Sequence, residues 1–182
     1  RFQILLNKIN IMQNILSNII ISVNDKLYVK NPETSDLGKE IIEQSILLID
    51  EIGFENFTFK KLGEKISSNE SSIYRYFESK HKLMLYLSSW YWGWMEYKLV
   101  FATSNVINPM EKLKKAITIV TEKVNDDTAT AHINEAVLNK IIIQEFTKTL
   151  LTKEVDEENK EGFFIVYKRI IKRIVEIINE VN

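Results

Sequence analysis

Between Thr58 and Lys80 the chain runs Thr-Phe-Lys-Lys-Leu-Gly-Glu-Lys-Ile-Ser-Ser-Asn-Glu-Ser-Ser-Ile-Tyr-Arg-Tyr-Phe-Glu-Ser-Lys, a stretch that reads as two short helices, a tight polar turn and the start of a third helix. Thr58 suits an N-cap, and Phe59, Leu62 and Ile66 recur at i, i+3 and i+7, one apolar stripe about two turns long. Ser67, Ser68 and Asn69 compete for backbone hydrogen bonds, so the first helix should stop near Ile66. Asn69 can then cap a second helix whose inward face is Ile73 and Phe77.

The outward face of that second helix carries Ser71, Ser72, Tyr74, Arg75 and Tyr76. Short polar side chains permit close approach to the major groove of DNA, and longer ones reach phosphates. Ser79 reads as the next N-cap, yet Lys80, His81 and Lys82 fill the first turn behind it. Cations there oppose the helix dipole at a cost of roughly 0.3–1 kcal/mol each when exposed and charged. A phosphate docked at that end would reverse the sign.

From about Leu37 to Leu83 the chain resembles the DNA-binding domain of the TetR-type bacterial transcription regulators, through Gly53, Thr58, Leu62, Tyr74, Phe77 and Lys80. The resemblance implies phosphate contacts from Lys60, Tyr74, Tyr76 and Lys80, with Ser71, Ser72 and Arg75 nearest the bases and Thr58 at the helix start completing the set. Two positions depart from the family. The small Ala usual in the first motif helix is Gly63, and the usual Gly-Val of the turn is Ser67-Ser68. Gly63 costs about 1 kcal/mol of helix propensity relative to Ala but stays small. Without the Gly, the turn residue must tolerate an unusual φ or adopt a different turn.

A chain of 182 residues, 45% hydrophobic, can bury a substantial core. Its formal net charge of −1 gives no global cationic field, so attraction to nucleic acid has to be local. Between Phe54 and Lys82 six cations face four glutamates, an excess that calls for a dimer to present enough positive surface. The absence of cysteine excludes disulfides and thiol chemistry, and two isolated histidines argue against zinc. No Gly-rich phosphate loop, G-x-S-x-G or H-E-x-x-H occurs, so neither a cofactor nor a metal is expected. Five Gly, two Pro and pervasive 3.6-residue periodicity predict an all-α fold.

Three regions follow: an amphipathic helical extension over 1–30, a helix-turn-helix domain over 31–82, and a helical ligand-binding and dimerisation domain over 83–182. The extension is read from Phe2, Leu5, Ile9, Met12, Leu16, Ile19 and Val23; its interrupting Asn and Lys residues argue against a membrane span or signal peptide. A chain beginning at Arg1 is expected to have lost residues upstream. Residues 22–29 suggest an extended or hairpin-like segment. Asn31-Pro32 opens a helix carrying Leu37, Ile41, Ile42, Ser45, Leu48, Ile49 and Ile52 and ending at Gly53. A long helix after Lys80 carries Leu83, Leu87, Trp90, Trp94, Tyr97 and Phe101. So many rings exceed one stripe's need, which marks Trp90, Trp94, Tyr97 and Phe101 as candidate lining for a hydrophobic or aromatic effector. His132 and Glu135, three apart at a later helix start, are candidates for the same pocket. Asn108-Pro109 starts a helix with Met110, Leu113, Ile117, Val120 and Val124 inward, and the last helix carries Phe163, Tyr167, Ile170, Ile174, Ile177 and Val181. Family members usually add two more helices at the dimer interface, so either the chain is incomplete or dimerisation uses its last helix with the N-terminal one.

The expectation is a cytoplasmic, non-enzymatic, ligand-responsive DNA-binding regulator, a homodimeric repressor on a palindromic operator in double-stranded DNA. The alternative is a helical protein-interaction module of the same fold that has lost specific DNA binding.

Overall fold

The structure, a computed structural model, describes residues 21–124, 132–150 and 153–181. The fold is all-helical, with no strand among the described residues. The helix expected over the first twenty-odd residues and the Asn125–Thr128 connection lie outside the described residues, apart from Ile21 onward.

Eight helices follow in order: α1 (Asp36–Ile52), α2 (Phe59–Lys65), α3 (Glu70–Tyr74), α4 (Lys80–Thr103), α5 (Pro109–Thr121), α6 (Glu135–Leu150), α7 (Val155–Lys160) and α8 (Ile165–Asn179). Side-chain oxygens start most of them. Ser35 caps α1 by accepting from the Gly38 amide, Thr58 caps α2 through Lys61, and Asn69 caps α3 through Ser72. Ser79 and Asn108 do the same for α4 and α5. Each such cap stabilises its helix by about 1 kcal/mol.

Pro32 does not open α1 directly. It sits in a short 3-10 turn, Pro32–Thr34, capped by Asn31, and the helix proper starts behind Ser35. The extended segment expected over 22–29 is instead another 3-10 turn, Asp25–Leu27, because the Asn24 side chain accepts from the Lys26 amide and curls the chain. Leu27 then plugs into the core.

Helix α4 is the axis. Every residue from Leu83 to Tyr91 is buried, so no face of that stretch meets water; α4 packs against α5, α6 and α8, and the 22–28 segment closes its remaining side. A helix apolar all round fits only a site enclosed on all sides. Helix α5 is rotated from its expected setting: Ala116 is buried with Leu113 and Ile119 against the core, leaving Met110, Ile117 and Val120 exposed. At the edge of the bundle α5 buries only the narrow face it turns to α4 and α8.

The turn between α2 and α3 takes the unusual φ that its sequence foreshadowed. Ser67 sits at φ +53°, a left-handed conformation that an L residue adopts at a cost of about 1–2 kcal/mol. The chain doubles back so tightly that a Cβ on Gly63 would lie 2.7 Å from the Ser68 carbonyl oxygen, which explains a glycine inside α2. Replacing Ser67 by Gly should raise the denaturant midpoint by about 1 kcal/mol of stability. Gly63→Ala should lower that midpoint despite alanine's better helix propensity, and urea melts of both variants check the pair.

Candidate nucleic-acid interface

The α2–turn–α3 unit presents a compact polar face. Phe59, Leu62, Ile73 and Phe77 are buried beneath it, and the Phe59 ring meets Tyr74 edge-on at 5.0 Å, fixing the start of α2 beside the end of α3. Thr58, Lys60, Ser71, Tyr74 and Arg75 are exposed, and Ser72 is half-buried. The Ser71 and Ser72 hydroxyls both donate to Asn69 Oδ1 at 2.7 Å, which also takes the Ser72 amide at 2.8 Å. Among the described residues neither Lys60 nor Arg75 has a carboxylate partner, and both are exposed on this face. By contrast Lys61 donates to the Asn56 carbonyl at 2.9 Å and Lys65 pairs with Glu51 at 3.1 Å.

Two of the eight expected contact residues are otherwise occupied. Tyr76 is only 3% exposed, with its hydroxyl bonded to Ser35 Oγ at 2.8 Å and to Lys30 Nζ at 3.3 Å. The Ser35 hydrogen bond, helped by Lys30, holds its phenol below the ordinary value. Helix α3 ends at Tyr74, so Tyr76 turns back under the motif instead of continuing its outward face. Lys80 spends its ammonium on three backbone carbonyls, those of Phe54, Glu55 and Phe57, each at 3.1 Å, above the Phe54 ring. It ties the α1–α2 loop to α4 and does not wait for a phosphate.

The other cations of that first turn are absorbed in the same way. His81 Nε2 lies 2.7 Å from Glu158 on α7, and Lys82 stands 4.2 Å over the Phe163 ring. These partners offset the helix-dipole cost, which removes the argument for an anion there.

The six expected effector-site residues do not converge. Trp90 and Trp94 are buried core, and Tyr97 stacks on Phe101, which is 49% exposed. His132 Nε2 bonds Glu33 at 3.0 Å, and Glu135 is wholly buried. Two pockets among the described residues lie against residues 21–33, and their walls include none of the six. Trp90 and Trp94 belong to the hydrophobic core, while Tyr97 and Phe101 lie toward the exposed end of α4.

Glu33 is the junction that sequence reading missed. Burial pushes its carboxyl pKa up, but the hydrogen bond and charge of His132, with the Tyr86 hydroxyl at 3.2 Å, outweigh it and leave the pKa lowered. Burial beside that carboxylate in turn drives Tyr86 upward. A carboxyl whose folded pKa is depressed stabilises the fold while ionised, fully above its unfolded value, and loses that contribution as pH falls through the folded one. The melting-temperature gap between wild type and Glu33→Gln should therefore be widest above the ordinary carboxylate range and close on acidification. Lys80→Ala should cost on the order of 1–3 kcal/mol of stability in a denaturant melt, since it strips a charged donor from partly buried carbonyls.

Residues 41–87 match the family model described as bacterial regulatory proteins, tetR family. No curated protein and no solved structure matches the chain significantly.

Proposed function

We propose, from the match of residues 41–87 to the family model described as bacterial regulatory proteins, tetR family, that the chain is a DNA-binding, ligand-responsive repressor acting as a two-fold dimer on a palindromic operator. The observation that carries this reading is the exposed face of α2 and α3, where Arg75 and Lys60 stand free of carboxylates beside Ser71, Ser72 and Tyr74. Arg75 and the serines face base edges, whereas Lys60, Thr58 and Tyr74 flank them toward phosphates. With Lys80 and Tyr76 withdrawn, one copy offers few cations, and affinity depends on two copies bridging adjacent major grooves about 34 Å apart.

Helix α8 supplies a surface for that pairing. Ile170 and Ile177 are buried, while Ile171, Val175 and Ile178, spaced four and three apart, are exposed on the other side. A helix with a second apolar stripe in water favours a copy of itself. Effector binding in the helices behind the motif would change the distance between the two α3 helices and so release the operator.

In gel-shift titrations Lys60→Ala should weaken binding to every sequence and reduce the salt slope by about one, while Arg75→Ala should relax preference at one operator position. Lys80→Ala should leave the slope near that of wild type. A double change, Ile171→Glu with Val175→Glu, should give monomers in sedimentation and abolish operator binding without unfolding the chain. If the dimer binds no duplex in a salt-dependent way, the alternative of an interaction module that has lost operator binding gains the argument.

A further inference from the structure

Arg75 stands between two anchored tyrosines. On one side the Tyr74 ring meets Phe59 edge-on; on the other Tyr76, 3% exposed, is held at both its main chain and its side chain by residues 29–35. Its carbonyl accepts the Val29 amide at 2.8 Å. Its hydroxyl shares a hydrogen bond with Ser35 Oγ at 2.8 Å and accepts one from Lys30 Nζ at 3.3 Å. Helix α3 has five residues, too few to hold a direction through its own hydrogen bonds, so its setting comes from what grips its ends. Asn69 grips the first end from within the motif, and residues 29–35 grip the last from outside it.

That outside segment is itself fastened to the rest of the fold. Leu27 is buried in the core, Tyr28 meets Tyr86 of α4 edge-on at 6.1 Å, and Glu33 accepts the Tyr86 hydroxyl at 3.2 Å and lies 3.0 Å from His132 Nε2. The Ser35 oxygen also accepts the Gly38 amide, so its bond to Tyr76 joins the end of α3 to the start of α1. We propose that Tyr76 is a positioning residue for sequence recognition: clasped by Val29, Lys30 and Ser35, it fixes where Arg75 and the end of α3 lie in the groove, and governs discrimination between sequences without itself touching DNA. The inference rests on the operator reading above and assigns to it a residue that sets specificity. Contacts to base edges need placement within about 0.5 Å, whereas attraction to phosphates carries no sequence information and tolerates a shift. Loosening the clasp therefore costs operator binding and spares binding to unrelated duplex.

The test compares the affinity of the full chain for the duplex that wild type enriches from a random pool with its affinity for a scrambled duplex of equal length, at one salt concentration. Tyr76→Phe removes the hydroxyl and keeps the buried ring. It should lower affinity for the enriched duplex about tenfold, a difference of about 1.4 kcal/mol, and leave affinity for the scrambled duplex unchanged. Ser35→Ala should lower the same ratio, and Ser35→Thr should restore it. The double variant should lose no more than Tyr76→Phe alone, because the bond between the two residues is already gone. Circular dichroism below the melting transition verifies that each variant is folded, so the α1 cap lost in Ser35→Ala does not enter the ratio. Equal weakening on both duplexes makes Tyr76 a phosphate contact or a mere support of the fold, and overturns the inference. A wild type that enriches no sequence overturns the operator reading and this inference with it, whereas an enriching wild type with an unchanged ratio in Tyr76→Phe overturns this inference alone.

Discussion

Helix α4 is enclosed over about two and a half consecutive turns, and the rest of the molecule is arranged to enclose it. Residues 83–91 are buried on every side, so the motif end of α4 and its middle cannot move independently of what surrounds them. Protein interiors are packed too densely to absorb a shift at one end without passing it on. A rigid rod of this kind starts at Lys80, directly behind the α2–α3 unit, and runs to Thr103 among the later helices.

Local polar contacts lock the α2–α3 unit to that rod. Lys80 holds the carbonyls of the α1–α2 loop, and Tyr76 is gripped by Ser35, Lys30 and Val29 from a segment far away in sequence. Both residues are held by contacts within the chain. The functional face is smaller than its residue types suggest. It is also better fixed, since its helices are capped at each start and its hydrophobic side is closed by Phe59, Ile73 and Phe77. Across the boundary, His81 reaches Glu158 and His132 reaches Glu33, so both histidines of the chain join the motif half to the later helices.

What could be read from the sequence was local. The caps at Thr58, Asn69 and Ser79 and the special turn after Ile66 depend on residues within four positions of one another, and spacing alone exposes them. Tyr76 was misplaced because a helix of five residues ends before its periodicity can be extrapolated. Lys80 was misplaced because its acceptors are backbone carbonyls over twenty residues away, which carry no sequence signature. Composition cannot tell whether the rings of α4 line a pocket or fill a core, and Trp90 and Trp94 are core residues. The inward face of α5 was misjudged for a related reason: a helix apolar on two sides does not say which side its neighbours take.

The most direct test of DNA recognition is in vitro selection of random duplexes with the purified protein, followed by affinity measurement across a salt series. The fold and its exposed α2–α3 face predict enrichment of an inverted repeat with half-sites about one helical turn apart, and an affinity that falls steeply with salt. Recovery of no common sequence, or binding indifferent to salt, would contradict the assignment of that face to an operator.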